Sequence, residues 1–493
     1  MTNDELLEQL LSEGLFSEYL PKVFNTKKLT QAILKRQFKI HLTKPDSFSM
    51  WKGNNYDRRY IYIPNIFSFL RLITWIKENP NIMNELINKN LENNHSLSKI
   101  SINNKLRNFN IDYPNKIPLK TGKTSNNDFL SNLNIKMQNT NGCNCILHLD
   151  IANFFGSIYT HFFTSITKGI DWAQCEYEKG KNKGNNEYKN LDRLDKCINQ
   201  MNRKRTHGIL CGPPISFVMA EFLQTQIDKD LDNTLQGTCN FTRFVDDYDF
   251  FIKDKKDIEL VKSKVVEVLN NYGLSLNINK TEIEDFPFYS SFNYDEIKCT
   301  NDIMHDYSRF ATIEKIYKQK GGLYYFVNKI ISNTAYDEKT VLPIVLNIIK
   351  NVPEAMVRSC NYFLQNKDYD KNQVICILQT ILEEFVDNEC HLESIWITYL
   401  ILKIDNTYQF SGQLITKMND LSKLILYSLS QNNNNKKTVE EFKSDSWLFN
   451  YELFFNDKIT EENFKENLNL SEEIFKDYKY LKSKKINFID VTL

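Results

Sequence analysis

The sequence predicts an α+β domain followed by an all-α domain of HEAT-like helical repeats. Strand-like and helix-like patterns alternate as far as about residue 300, and only helical periodicity follows after about residue 305. A chain of 493 residues is long enough for two or three domains. We therefore divide it into an N-terminal helical segment (residues 1–50), a mixed domain (51–300) and a C-terminal helical-repeat domain (301–493).

The first 130 residues contain one clear strand pattern. Apolar residues between positions 6 and 16 recur at helical spacing, which predicts a helical N-terminal segment. Residues 58–64 alternate and end in a proline, as is typical of a strand. Residues 66–77 place apolar side chains on one helical face. Residues 85–128 are polar and rich in Asn, and they predict loops or short elements.

The middle of the chain has the order of elements expected of an α+β domain. The predicted elements are a strand (146–151), the start of a helix (153–158), an exposed loop (178–190), a helix (214–231), a β-hairpin (240–252), a helix (256–272) and a strand (274–283).

The C-terminal part shows helical patterns alone. Their pairing suggests helical repeats, although no clean sequence repeat is found. The predicted helices are 313–332, 342–350, 354–365, 373–385, 393–402 and 414–429, and the Asn run at 432–435 is predicted to be a loop.

Composition disfavours a protein that clamps long duplexes and a membrane protein. The formal net charge is zero, so there is no general surplus of Lys and Arg. Basic residues outnumber acidic ones only before residue 301, so any nucleic-acid contact is expected to be local and in that part. No apolar run approaches the roughly 18 residues of a membrane span. The ten cysteines are scattered and the first ten residues lack the basic start of a signal peptide, which predicts a cytoplasmic protein.

Three carboxylates are candidate metal ligands. Asp150 ends a predicted strand, and Asp246 and Asp247 lie at the hairpin turn. A single aspartate at such a place is more often solvated or caps a helix. Adjacent carboxylates repel each other, however, and a divalent cation relieves the repulsion. Together the three suit two Mg²⁺ ions, with Mn²⁺ as an alternative, in phosphoryl-transfer chemistry.

Three flanking residues suit a nucleotide. Phe155, five residues after Asp150, could lie under the sugar and exclude ribonucleotides; the alternative is an ordinary core phenylalanine. Lys280 could protonate leaving pyrophosphate as a general acid. Arg59 could bind the β- and γ-phosphates through its planar guanidinium. For these two cations the alternative is an ordinary surface charge.

The segment 208–216 predicts a turn that opens onto a helix. Gly212 would let the backbone approach a base pair closely, and Ser216 could cap the helix. An ordinary Gly/Pro turn is the alternative.

The order of these features resembles the palm of reverse transcriptases. The segment LDIANFFGSI (149–158) resembles the first metal motif, and 208–221 resembles the template-positioning motif. RFVDD (243–247) resembles the aromatic-x-Asp-Asp box, and NINKT (277–281) the following lysine motif. The resemblance covers roughly residues 55–290. It implies a right-hand polymerase with fingers and palm, acting on dNTPs.

The resemblance also implies the roles of individual residues. The catalytic residues would be Asp150, Asp246, Asp247 and Lys280; the nucleotide-binding residues Arg59, Ile151, Phe155, Gly212 and Ser216; and the metal-binding residues Asp150, Ile151, Asp246 and Asp247.

A narrower resemblance is to bacterial abortive-infection and other defence-associated reverse transcriptases of the unknown group. Ser157–His161 after the first motif, Trp172-Ala173, and helical repeats in place of a thumb are similar to that class. It implies phage resistance, homotrimers or homohexamers, and in some members untemplated DNA synthesis primed from a tyrosine. Cys211 stands where templated enzymes usually have a Gln, which fits this class.

Three functions are compatible with the sequence. The first is a defence enzyme that polymerises dNTPs without a template and from a Tyr primer. The second is a conventional RNA-templated reverse transcriptase with a noncoding RNA partner. The third is a catalytically silent scaffold, which the intact set of three carboxylates disfavours.

Overall fold

The computed structural model of the chain describes residues 1–52, 54–102, 105–106, 132, 135–180, 184–286, 288, 338–353, 356–365 and 369–491. Residues 289–337, which include the predicted helix 313–332, lie outside the described residues.

The N-terminal part of the chain combines helices with two antiparallel strand pairs. Helix α1 begins with a capping box, in which the Thr2 hydroxyl accepts from the Glu5 amide and the Glu5 carboxylate accepts from the Thr2 amide. The elements in this part are α1 (Asn3–Glu13), a 3₁₀ helix (Gln31–Lys35), the antiparallel pair β1 (Asp46–Lys52) and β2 (Asn54–Ile63), α2 (Ile66–Glu78), α3 (Pro80–Glu92), and the short pair β3 (Ser101–Ile102) and β4 (Lys105–Leu106).

A four-stranded antiparallel sheet forms the centre of the mixed domain, in the order β6-β7-β5-β8. The elements here are β5 (Cys145–Asp150), α4 (Phe154–Ser157), a 3₁₀ helix (Thr160–Thr164), α5 (Ile170–Glu178), α6 (Asn186–Met201), α7 (Pro214–Leu235), β6 (Asn240–Phe244), β7 (Asp247–Ile252), a 3₁₀ helix (Lys255–Asp257), α8 (Ile258–Asn271), a 3₁₀ helix (Ile278–Lys280) and β8 (Glu282–Asp285).

The two faces of this sheet differ in chemistry because strand side chains alternate. One face places Leu147, Leu149 and Phe250 in the main hydrophobic core, together with the buried side of α7. The opposite face presents the polar residues of β5 and β7. The core therefore fixes the sheet from behind and leaves the polar face for chemistry.

Ten helices follow in the described part of the C-terminal region: α9 (Glu338–Asn351), α10 (Met356–Gln365), α11 (Lys371–Asp387), α12 (His391–Ile404), α13 (Gly412–Lys417), α14 (Asp420–Leu429), α15 (Asn433–Glu440), α16 (Trp447–Phe455), α17 (Glu461–Leu468) and α18 (Glu472–Ser483). The architecture is thus a mixed domain followed by a helical region, as the sequence predicted.

The helical region is joined to the β1–β2 pair by buried polar contacts. The Arg58 guanidinium of β2 binds the Glu393 carboxylate of α12 through two hydrogen bonds of 2.9 and 2.6 Å, and Glu393 is fully buried. The Asp46 carboxylate of β1 accepts hydrogen bonds from the Ser446 hydroxyl (2.7 Å) and the Leu448 amide (3.1 Å) at the start of α16. An acceptor at a helix N-terminus satisfies amides that have no partner within the helix.

Tyr19 of the N-terminal segment and Asn65, the N-cap of α2, also contact the helical region. The Trp396 indole donates to the Tyr19 carbonyl (2.8 Å), and the Asn65 amide donates to the Tyr478 hydroxyl (2.9 Å). Because β1 begins at Asp46, the strand pair spans the boundary that we expected at residue 51. The division at residues 50 and 300 stays a prediction.

Most predicted elements are confirmed, among them the helix after Pro64, the hairpin, and the helix 256–272 with slightly different ends. Three were wrong for a recognisable reason. Residues 85–92 are helical because α3 buries Met83, Leu86 and Ile87 on one face. The Asn run begins α15, with Asn432 as its N-cap. The predicted loop 178–190 ends earlier than expected, because α6 begins at Asn186.

Two further predictions need correction. Residues 274–283 are not one strand, because the backbone amide of Asn277 donates to the Asp150 carbonyl (2.7 Å) and the chain then turns into a 3₁₀ helix before β8. The predicted helix 414–429 is two helices, because Asn419 caps a new helix after Met418. In the first 50 residues only α1 and one 3₁₀ helix are helical. Within the described residues, no helix is both long enough and apolar enough to cross a membrane.

We expect Arg58→Met to destabilise the chain by roughly 3–5 kcal/mol, because it leaves the buried Glu393 carboxylate without its cation. The double variant Arg58→Met with Glu393→Gln should recover most of this loss. Urea unfolding of the full chain measures both. A single variant as stable as the wild type would show that the pair does not join the two parts.

Candidate active site

Strand register places two of the three predicted carboxylates opposite each other. Asp150 at the end of β5 pairs with Asp247 at the start of β7, so both side chains lie on the same face of the sheet. Their carboxyl groups are in hydrogen-bonding contact. Asp150 is buried, with 5% of its surface exposed, whereas Asp247 is exposed to solvent. Asp246 lies in the turn beside them, and the charge of Asp150 acts on it.

The turn that presents Asp246 is fixed in an unusual conformation. Val245 has a φ of 57°, which is rare for a β-branched residue and costs free energy. Its amide donates to the Ser98 hydroxyl (2.9 Å). Its carbonyl accepts from the Gln224 side chain (3.2 Å) and from the Arg243 guanidinium (3.1 Å). These hydrogen bonds stabilise the turn despite the unfavourable φ of Val245.

Arg243 is the centre of a buried polar network behind the turn. Its fully buried guanidinium donates to Asp228 and Glu221 at 2.8–3.0 Å. Glu221 also accepts from the Ser98 hydroxyl (3.1 Å), and the Tyr248 hydroxyl donates to Asp228 (3.1 Å). Burial disfavours the charged guanidinium, but the two carboxylates outweigh it and raise the pKa of Arg243 well above its ordinary value. Arg243 therefore stays charged and links α7 to the turn.

Burial and mutual repulsion raise the pKa values of the turn carboxylates. Burial, followed by the charge of Asp150, raises the pKa of Asp246. Partial burial of its carboxyl group, with the charges of Asp246 and Asp150, raises the pKa of Asp247 to about 7. The site therefore keeps a proton near neutral pH unless a cation takes its place.

Asp150 is held by two residues of the segment after α8. The Lys280 ammonium contacts one carboxylate oxygen at 2.6 Å, and the Asn277 amide donates to the other at 3.0 Å. The hydrogen bond to Asp150 and its charge raise the pKa of Lys280, although partial burial opposes the rise. A cation thus already lies against Asp150, in the form of the Lys280 ammonium.

The carboxylates suit a divalent cation that arrives with its substrate. In the described part of the chain, no group of three or more His, Cys, Asp or Glu side chains is placed to hold a metal ion by itself. Magnesium in phosphoryl-transfer sites is typically bound by one or two carboxylates together with substrate phosphates and water. Asp150 and Asp247 in contact, with Asp246 beside them, match that type of donor set.

Strand β2 brings Arg59 to the same site. Arg59 is exposed, forms a side-chain hydrogen bond with Tyr19, and its charge opposes the rise in the pKa of Asp246. The amide of Tyr62 donates to the Cys211 carbonyl (2.9 Å), which ties β2 to the turn before α7. The guanidinium of a residue far away in sequence therefore lies near the turn carboxylates.

Ile151 and Phe155 follow Asp150 directly into the site. The Ile151 amide donates to the Asp246 carbonyl (3.1 Å), so this hydrogen bond joins the end of β5 to the turn. Phe155 is half-buried and packs edge-to-face on Phe154, with ring centroids 5.4 Å apart. Its carbonyl accepts from the Ile209 amide (2.8 Å).

In the turn 208–216, neither Gly212 nor Ser216 has the environment that the sequence predicted. Gly212 has a φ of 115°, and a Cβ there would lie 2.3 Å from Cγ2 of Ile61. The space beside this glycine is thus filled by β2. Ser216 does not cap α7, because Pro213 is the N-cap residue, and the buried Ser216 hydroxyl has no hydrogen-bond partner among the described residues.

Sequence reasoning missed several neighbours of the site. Tyr19 belongs to a segment without a recognisable pattern. His148 lies on the polar sheet face one residue pair from Asp150, between Asp249 (2.7 Å) and Glu284 (3.1 Å). Its alternation with Asp150 in the strand was the signal that could have revealed it. The basic run at 203–205, directly before the turn, was also overlooked.

One family model matches the part of the chain that contains the site. Residues 70–294 match the model described as reverse transcriptase (RNA-dependent DNA polymerase). The match includes the three carboxylates, Phe155 and Lys280, whereas Arg59 lies before it. No curated protein sequence matches the chain.

Among solved structures, three telomerases show a low similarity to the chain. Apo telomerase from Candida tropicalis is 12% identical with a TM-score of 0.31, over 80% of this chain and 70% of that chain. The Candida albicans enzyme with a TWJ fragment of telomeric RNA is 11% identical with a TM-score of 0.28, over 85% and 64%. The Candida tropicalis enzyme with that type of fragment is 13% identical with a TM-score of 0.32, over 80% and 65%. The chain thus spans about two thirds of these telomerases.

We expect Asp247→Asn to raise the melting temperature of the metal-free protein above neutral pH. The native pKa of Asp247 is about 7, against 3.8 for the ordinary group, so its contribution to stability is complete below about pH 4 and is lost as pH rises through about 7. The gain of the variant over the wild type should therefore grow from about pH 4 to about pH 7 and stay constant above it. Differential scanning calorimetry measures it.

A divalent cation should raise the melting temperature of the wild type at about pH 8 and leave that of Asp247→Asn unchanged. Asp445→Asn, which removes an exposed carboxylate of the helical region, is the control. An equal response of Asp247→Asn and the wild type to the cation would contradict the metal assignment.

Arg243→Met should cost roughly 3–5 kcal/mol of unfolding free energy, because Asp228 and Glu221 lose their buried cation. The triple variant Arg243→Met, Asp228→Asn, Glu221→Gln should have a free energy of unfolding closer to that of the wild type. Denaturant unfolding tests this, and an unchanged midpoint in Arg243→Met would show that the network does not support the turn.

Proposed function

We propose that this chain, which contains an RNA-directed DNA polymerase-type nucleotidyltransferase domain at residues 70–294, polymerises dNTPs in bacterial anti-phage defence, in the cytoplasm and without a template. The observation behind the polymerase assignment is the contact between Asp150 and Asp247 across neighbouring strands, with Asp246 in a fixed turn beside them. Such a constellation suits two Mg²⁺ ions better than a structural role, because a structural role does not require three carboxylates in one place.

The chemistry that such ions supply when bound is activation of a 3′-hydroxyl and neutralisation of charge on the leaving pyrophosphate. The chain's own residues position the reactants. Asp150, Asp246, Asp247 and the backbone of Ile151 hold the metal side of the site, and Arg59 is placed to bind the triphosphate through its guanidinium. Gly212 and Ser216 belong to the segment that packs against β2 and the core.

Lys280 acts as the general acid in this proposal. Its ammonium keeps its proton at Nζ because Asp150 raises its pKa. A divalent cation bound by Asp150 would compete with Lys280 for this carboxylate, which would leave the proton at Nζ available to the pyrophosphate oxygen. Asn277 remains to orient the other oxygen of Asp150.

The defence-related part of the proposal is supported by departures from templated enzymes. Cys211 replaces the Gln that usually seats the templating base pair, and burial raises the pKa of its thiol, so it is a neutral group. The helical region, proposed to be HEAT-like, packs on β1, β2 and the N-terminal segment. We also propose a homotrimer or homohexamer.

Among the tyrosines whose side chains are described, three are exposed enough to act as a primer. They are Tyr60 (51% exposed), Tyr159 (39%) and Tyr177 (73%). Tyr159 lies four residues after Phe155, whereas Tyr60 shares a face of β2 with Arg58 and points away from the side of Arg59. A priming hydroxyl must reach the metal-bound nucleotide, so Tyr159 is preferred over Tyr60 and Tyr177.

The alternative function is conventional copying of a partner noncoding RNA, and the matched family is described as RNA-dependent. Purified protein incubated with each labelled dNTP and Mg²⁺, without nucleic acid, separates the two. Untemplated synthesis predicts incorporation, and protease digestion should shift the product if it is bound to Tyr. Incorporation that requires an added or co-purified RNA would overturn untemplated synthesis and favour the alternative.

Single substitutions test which residues form the active site and which tyrosine primes synthesis. Asp150→Asn should reduce incorporation by at least about 100-fold, because it removes a carboxylate from the metal side of the site. Tyr159→Phe should remove the protein-linked product without a loss of synthesis from an added primer, whereas Tyr60→Phe should leave that product unchanged. Full incorporation by Asp150→Asn would contradict the assignment of the active site. Phage resistance retained by that variant would favour a scaffold.

Phe155→Ala should admit ribonucleotides, because it removes the ring proposed to lie under the sugar. Relative kcat/KM for rNTPs over dNTPs should rise by about 10-fold or more, equivalent to about 1.4 kcal/mol of lost discrimination. Phe155→Tyr keeps the ring and should discriminate as the wild type does. An unchanged ratio in Phe155→Ala would show that Phe155 is only a core residue.

A further inference from the structure

Three consecutive basic residues form an exposed loop just before the turn that leads into α7. Arg203, Lys204 and Arg205 are all exposed. Within the described residues, none of them forms an ion pair with a carboxylate, although most other lysines and arginines in this part of the chain do. Three adjacent positive charges without counterions favour a polyanionic partner.

The loop has a backbone conformation that is unfavourable for two of its residues. Arg203 and Lys204 have φ values of 56° and 62°, and two successive non-glycine residues in this region cost free energy. The Lys204 amide donates to the Asn199 carbonyl (2.8 Å), and the Asn202 side chain donates to the Gly208 carbonyl (3.1 Å). The cost is tolerated because the surroundings fix the loop, and strain of this kind is common at functional sites.

An exposed aromatic residue lies beside the basic loop. Tyr159 forms an isolated bridge with His207, and their rings are 6.5 Å apart. The Tyr159 ring also contacts His161 at 4.9 Å and Phe162 at 6.3 Å, and it is 39% exposed. A supported, partly exposed ring next to unpaired cations is the combination on which single-stranded nucleic acids stack.

Backbone pairing connects this surface to the active site. The Thr160 amide donates to the Thr206 carbonyl (2.8 Å), and the Gly208 amide donates to the Ile158 carbonyl (2.9 Å). The next pair joins Ile209 to the carbonyl of Phe155. The basic loop is therefore continuous with the segment that leaves Asp150, and a strand bound here borders the site.

We propose that Arg203, Lys204, Arg205 and the Tyr159 ring form a binding surface for a single strand of nucleic acid, with phosphates on the cations and a base on the ring. The strand is either the growing product or a template, since both present the same phosphodiester chemistry. The inference deepens the proposed polymerase function and rests on it for the identity of the strand. It also explains how a chain of zero net charge holds a polyanion.

The test uses the triple variant Arg203→Asn, Lys204→Asn, Arg205→Gln. Asn tolerates a positive φ, so the charges are removed without added backbone strain. Binding of labelled single-stranded DNA and RNA is measured by fluorescence anisotropy in EDTA at several salt concentrations. The slope of log K against log salt should decrease in magnitude by about 2, because each phosphate that a cation no longer neutralises lowers it by about 0.7. The preferred strand, DNA or RNA, identifies product or template.

The control is Lys443→Gln, Lys484→Gln, Lys485→Asn, which removes three exposed charges from the helical region, one of them at a φ of 56°. It should bind as the wild type does. Tyr159→Ala should weaken binding about 10-fold, whereas Tyr159→Phe keeps the stacking ring and should not. Triple-variant binding equal to that of the wild type would overturn the proposal. Displacement of the strand by polyglutamate, with no effect of Tyr159→Ala, would also overturn it in favour of an acidic protein partner.

Failure of the proposed function can be told apart from failure of this inference. Asp150→Asn keeps the basic surface, so it should bind the strand as the wild type does in EDTA. Wild type that binds through the three cations but incorporates no dNTP would refute the polymerase proposal alone. Wild type that polymerises, with a triple variant of unchanged affinity and unchanged salt slope, would refute the surface alone.

Discussion

The chain keeps like charges together at one edge of its central sheet, and the surrounding structure opposes their repulsion. Asp150 and Asp247 are fixed opposite each other by strand register, which the hydrophobic face of the same strands enforces. Asp246 is fixed by a turn whose valine has an unfavourable φ. The buried network of Arg243, with Asp228 and Glu221, supplies the hydrogen bonds that hold this turn. A substrate-borne divalent cation would relieve the remaining repulsion, so the fold is built for a ligand that binds there.

Strand β2 connects the helical region to this site. Neighbouring residues of a strand point to opposite faces, and here Arg58 binds Glu393 of α12 while Arg59 acts on Asp246. The amide of Tyr62 holds the same strand to the turn at Cys211, and Ile61 fills the space beside Gly212. The helical region therefore contributes to the position of a residue proposed to bind the triphosphate. This physical link joins the two parts of the chain, although they differ in architecture.

The sequence predicted those features that depend on local periodicity or on chemistry at strand ends. The hairpin, its Asp pair and the helix after Pro64 follow from short patterns, and the three carboxylates met as expected. Features that depend on distant contacts were not predictable. The break in residues 274–283 results from hydrogen bonds between Asn277 and Asp150. The start of α15, by contrast, was missed although its cap by Asn432 is local. The position of Tyr19 near the site and the packing of Ile61 against Gly212 arise from tertiary packing alone.

The central claim is that the three carboxylates bind divalent cations together with a nucleotide. Crystals of the full chain grown with Mn²⁺ and a non-hydrolysable dNTP analogue test it most directly, through anomalous scattering at the manganese edge. The account predicts two anomalous peaks in contact with carboxylate oxygens of Asp150, Asp246 and Asp247, with the triphosphate completing their coordination. Nucleotide bound elsewhere, or a site in which Lys280 stays on Asp150 and no manganese binds, would contradict it.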